Sequence, residues 1–162
     1  YMNVYLLGKL VHVIAVVVFM GNIFTGLFWM HIANKTRNLS IIHHTMGGII
    51  LSDRYFTVPG VLVIVAGGIW AAIEGELPLL RTGWIFWSLL LFSISGIVFG
   101  WKLAPLQKRI VTLSNSTALS DAEWAKYDQL LKSWHVWGFI AVAAPFMAMV
   151  MMVLKWPTTS IF

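Results

Sequence analysis

Apolar positions along this chain gather into four long runs, at about residues 6–32, 57–73, 84–103 and 134–154. A helix needs about 20 apolar residues to cross the hydrocarbon core of a bilayer. The runs are continuous and do not alternate, so they predict helices and not barrel strands. Between the second and third lies only "EGELPLLRTG", a short turn with Pro78 and Gly83 as breakers. The expected fold is all-α: one transmembrane domain over residues 1–162, built as an up-down four-helix bundle. The first run is too long for a signal-peptide core and lacks a small-residue cleavage site, so it is expected to stay as a span.

The two longer connections have patterns of their own. "NLSIIHHTMGGIILSDRYF" is apolar at both ends but too interrupted to span. It is expected to lie along the interface or to cap the bundle. "SDAE", Ser120 to Glu123, has capping-box spacing. It predicts a helix through "EWAKYDQLLKSW" that runs directly into the fourth span. No internal repeat, low-complexity segment or second domain is visible.

Composition adds the solvent. Hydrophobic residues make up 59% and charged residues 10%, against about 25% charged in soluble domains. That polar surface is too small to face water. The net charge of +5 does not indicate nucleic acid, because the basic residues sit in short loops between apolar runs. Lys35, Arg37, Arg54, Lys102, Lys108, Arg109, Lys126 and Lys132 lie between spans one and two or three and four. Lys9, Arg81 and Lys155 lie on the other side. The positive-inside rule then predicts cytoplasmic 1–2 and 3–4 connections and outer termini. Trp84, Trp87 and Trp156 are expected at the outer interface, and Trp29, Trp101 and Trp134 at the inner one.

Helical periodicity sorts the faces. Gly8, Ala15, Val16, Phe19, Ile23 and Gly26 share the face of His12. Gly60, Gly67, Ala71 and Glu74 form a stripe on span two. Ser88 and Ser95 align with Phe92 and Phe99 on span three. His135, Gly138, Val142, Phe146 and Met149 align on span four, where Pro145 should kink the helix. Small and polar residues belong inside a membrane bundle.

The candidate chemistry falls into two layers. His12 lies in the outer half, with Met149, Met152, Glu74 and Ser88 at similar depth. His31, His43, His44 and His135 lie on the inner side, too deep to share one metal ion with His12. The chain has no cysteine, which excludes disulfides, thiolate catalysis, cysteine-ligated clusters and covalent c-type haem. Histidine, methionine, carboxylates and noncovalent cofactors are left. Neutral imidazole makes His12 a candidate axial ligand; the competing reading is a hydrogen bond across helices. Met149 is a candidate sixth ligand. Glu74 either orients His12 or is an interfacial carboxylate. Lys9 reads as a snorkelling side chain. His31 and His135 are candidates for an inner site. The methionines at 147, 149, 151 and 152 scatter over several faces, which suits packing better than copper binding.

"GKLVHVIAVVVFMGN" resembles the first helix of HemJ-type protoporphyrinogen oxidases and of CopD-like copper-resistance membrane domains. "SDRYFTVPG", "FGWKLAPLQKRI" and "MVLKWP" resemble a related family of bacterial integral membrane proteins with no assigned function. The HemJ resemblance implies a four-helix bundle holding b-type haem through His12 in a bacterial plasma membrane. That group's third-helix lysine falls at or near Ser88 here, so haem or porphyrin binding carries over and the oxidase reaction does not. The CopD resemblance implies copper transport or resistance instead. The expected function is therefore haem or porphyrin binding for a membrane redox role, with His12, Met149, Ser88 and Glu74 as site residues. A non-catalytic accessory subunit in a larger membrane complex, or a homo-oligomer, is the alternative of another class. No residue set specifies a reaction.

Overall fold

The computed structural model describes residues 4–161. Six α-helices follow in order: α1 (Val4–Lys35), α2 (Leu39–Ser52), α3 (Val58–Glu74), α4 (Gly83–Val98), α5 (Ala104–Ser114) and α6 (Asp121–Leu154). π-helical turns at Asp53–Thr57 and Phe99–Leu103 join α2 to α3 and α4 to α5 without a break. The chain thus forms four continuous rods of 32 to 36 residues, each apolar enough to cross a membrane. At 1.5 Å per residue they are about 48–54 Å long, well beyond the ~30 Å hydrocarbon core.

Both π turns precede a proline, Pro59 and Pro105. Proline has no N–H, and its ring crowds the carbonyl four residues back. The wider turn relieves that crowding: Val58 N–H bonds to Asp53 O and Ala104 N–H to Phe99 O, five residues back. The segment expected to lie along the interface is therefore the first part of the second rod. Ile42 and Met46 of α2 are fully buried, because α2 packs on α5 and α1.

The termini and the α3–α4 turn form one end of the bundle, here the termini end. The α1–α2 and α5–α6 connections form the other, the loop end. Packing is densest at the loop end, where Met30, Ile42, Met46, Ile110, Tyr127, Leu131 and Trp134 make one core. Trp134, expected in an interfacial belt, is only 3% exposed; it faces this core while Trp29, Trp101 and Trp156 are exposed. Tyr127 Oη donates to Asn34 Oδ1 at 3.1 Å. Arg37 grips Asp128 with two bonds of 2.7 and 3.0 Å and lies over the Trp124 ring at 4.9 Å. Hydrogen bonding to that carboxylate raises the guanidinium above its ordinary value.

Helix starts follow the sequence signals. Asn38 caps α2 by accepting from Ser40 and Ile41 N–H. Ser120 and Glu123 form the expected capping box of α6, which continues through Pro145 to Leu154. At the termini end the C-terminal segment folds back on the start of α4: Gly83 N–H donates to Thr158 O at 3.2 Å, and Thr82 pairs with Thr159.

Candidate functional site

In the termini half the rods pack as two tight pairs. α1 lies against α3 because glycines remove the side chains between them. A Cβ on Gly8 would stand 3.3 Å from Ala71 N, and one on Gly67 would stand 3.3 Å from His12 N. α4 is stitched to α6 by two serines seven residues apart. Ser88 Oγ donates to Ala148 O at 3.1 Å, and Ser95 Oγ to Ala141 O at 2.6 Å. The pairs meet mainly where α1 touches α6; among the described residues no Cα of α3 or α1 comes within 8 Å of one on α4. Phe19 and Phe92 bridge the seam at mid-depth, with ring centroids 5.6 Å apart, and Val142 of α6 packs into the same cluster. The two rings line both of the partly open cavities along the seam.

The larger cavity, about 460 Å³, lies on the termini side of these rings. Its walls include Lys9, His12, Met20, Trp84, Ser88, Phe92, Met149, Met152 and Lys155. Ligand pockets are commonly about 300–1,000 Å³ and mostly apolar, with a few placed polar groups. His12 is the placed group here. Its Nδ1 lies 2.7 Å from Ile64 O. A carbonyl can only accept, so Nδ1 carries the proton and Nε2 holds a free lone pair in the neutral ring. Gly68 makes this contact possible, since a Cβ there would stand 3.0 Å from Nδ1. A backbone carbonyl on one nitrogen is the usual anchor of a metal-ligating imidazole. Among the described residues Nε2 has no hydrogen-bond partner, and they do not enclose it.

The other expected residues divide. Met149, half-buried, lines the same cavity on α6, and so does Ser88, whose hydroxyl proton is committed to Ala148 O. Glu74 is exposed at the end of α3 and is not part of the lining. On the inner side His31 and His44 are exposed. His135 Nδ1 bonds Leu131 O at 2.9 Å, its ring edge-on to Trp134, and His43 Nδ1 bonds Val111 O at 3.1 Å. Among the described residues, no three His, Asp or Glu side chains converge as metal ligands.

A second polar centre was not expected. Asp53, at the start of the first π turn, is 8% exposed. Thr57 Oγ1 donates to its Oδ1 at 2.7 Å, Asn22 Nδ2 to the same oxygen at 3.3 Å, and Gln107 Nε2 to its Oδ2 at 2.9 Å. Asn22 also donates to Thr57 Oγ1 at 3.0 Å. α1, the π turn and α5 thus meet at one carboxylate beside the smaller cavity, of about 240 Å³. The signal was present in Asp53 and Thr57, one helical turn apart, and in Asn22 within an apolar span. It was hidden because the second helix was expected to begin only at residue 57.

Residues 6–156 match the DUF2269 family, described as predicted integral membrane proteins. The chain belongs to this family. The match takes in His12, Ser88, Met149 and the whole Asp53 cluster. With the four apolar rods, it makes the chain an integral membrane protein. It supports the membrane-family part of the resemblance and does not extend to the HemJ-type or CopD-like groups. No curated protein and no solved structure matches the chain.

Proposed function

We propose that the termini-side cavity binds b-type haem or a related porphyrin, with His12 as an axial ligand. The observation that carries this reading is the His12 imidazole, fixed through Nδ1 to Ile64 O and unpaired at Nε2, in the wall of a 460 Å³ apolar cavity. The donor set suits such a group. His12 offers a neutral nitrogen and Met149 a thioether, both common haem ligands. Phe92 and Trp84 offer ring faces. Lys9 and Lys155, also in the lining, offer positive charge for the porphyrin's carboxylates. When bound, haem supplies one-electron chemistry; the protein's residues hold it, exclude water and tune its potential through the Nδ1 hydrogen bond. In a bacterial plasma membrane, the excess of Lys and Arg at the loop end supports a cytoplasmic side for that end.

The test is a visible spectrum of purified protein, with and without added haemin. A Soret band that His12→Ala abolishes is the expected result. Protein that stays colourless after haemin addition, yet copurifies in fixed ratio with other membrane subunits, would sink the proposal and favour an accessory role. One observation favours a second reading: Met149 and Met152, three residues apart on α6, line the cavity with His12 and Met20. Soft thioethers with one imidazole suit Cu(I). Copper retained by the wild type and lost in Met149→Leu, without a Soret band, would select it.

A further inference from the structure

A buried carboxylate is costly in a membrane interior unless a cation meets it. Asp53 is such a group. Among the described residues the ion pair formed is Arg37–Asp128, so no Lys, Arg or His faces Asp53. Its neighbours Asn22, Thr57 and Gln107 are neutral, and all donate to it. A carboxylate offers about four acceptor sites. Oδ1 takes two bonds and Oδ2 takes one, which leaves a site on Oδ2. Phe19, Phe92, Phe99 and Trp134 stand in the walls of the adjoining 240 Å³ cavity, and aromatic faces attract cations. A hard metal ion needs six or more oxygens. Asn22 and Gln107 turn their N–H groups to the carboxylate, so such a shell is not gathered. A tertiary organic ammonium has a single N–H, so it needs only one acceptor and apolar walls.

We propose that this loop-side cavity binds a hydrophobic organic cation, a tertiary ammonium carrying an aromatic or aliphatic group, with its one N–H on Asp53 Oδ2. The ligand enters from the bilayer through the α3–α4 seam, where the lining residues Val58, Leu62 and Gly96 are exposed. The site is separate from the His12 cavity and does not depend on what that cavity holds.

The test uses the whole protein in nanodiscs of zwitterionic lipid, titrated with N,N-dimethyl-2-phenylethylammonium in a calorimeter. Saturable binding is expected, weakened at least about tenfold by Asp53→Asn through loss of the buried charge pair. The neutral analogue 2-phenylethanol should bind at least as weakly to the wild type. Equal binding of the alcohol, competition by sodium, or an absence of saturable binding would overturn the proposal. Gly96→Leu gives an answer if Asp53→Asn does not fold. A Cβ on Gly96 or Gly100 meets nothing within 4 Å, but only Gly96 lines the cavity. Gly96→Leu should therefore block binding while Gly100→Leu leaves it intact; unaltered binding in Gly96→Leu would also overturn the site.

Discussion

A Cβ built on Gly67 would stand 3.3 Å from the backbone nitrogen of His12, whereas one built on Gly47 or Gly48 meets nothing within 4 Å. The same residue type therefore carries opposite predictions. Gly67→Val forces α1 away from α3 and should cost about 1–3 kcal/mol. It should lower the midpoint of thermal unfolding in detergent. Gly48→Ala adds helix propensity without a clash and should raise stability by up to about 1 kcal/mol. An unchanged midpoint in Gly67→Val would refute the close α1–α3 packing. The His12 face was legible at this scale, because helical periodicity alone groups it with Gly8, Ala15 and Phe19, all of which are buried. Its hydrogen bond to Ile64 was not, since spacing within one helix says nothing about which carbonyl of another lies opposite.

Between elements, the α4–α6 contact rests on a repeat of seven. Ser88 and Ser95 reach Ala148 and Ala141, so donors and acceptors advance by the same two turns on antiparallel helices. Interhelical hydrogen bonds in membranes average about 0.6 kcal/mol. Ser88→Ala and Ser95→Ala should each destabilise by about that much, and the double variant by about the sum. Ser120→Ala should cost about 1 kcal/mol through the cap, with helical content falling first near Asp121 in hydrogen exchange. The aligned serines and the capping box were both readable beforehand. The helix ends were not. Hydropathy reports which solvent surrounds a segment, while helix length depends on hydrogen bonding that continues past the lipid. Hence a segment read as an interfacial stretch became α2 and the first π turn, and Asp53 moved with it from a connection into the bundle.

Across the whole molecule, the charge asymmetry and the four rods predict a topology that the absence of cysteine makes simple to measure. Ser116→Cys in the α5–α6 connection should react with a membrane-impermeant maleimide only after cells are permeabilised. Leu80→Cys in the α3–α4 turn should react without permeabilisation. The reverse pattern would invert the assignment of the basic end. Legibility at this scale was good for the number of crossings and poor for the seam, because apolar positions look alike whether they touch lipid, a neighbouring helix or a cavity. The π turns bear on the same question. Each adds a residue to its helix, and one residue is a rotation of about 100°. The loop-end and termini-end halves of these two rods are therefore out of phase, like two lengths of one screw cut and rejoined after a partial turn. Deleting a single residue from Asp53–Thr57 would restore a uniform thread, and it would swing every side chain beyond it to another side of the rod. Because α1 runs unbroken against both α2 and α3, an indel in the turn would keep one of those two interfaces and rewrite the other.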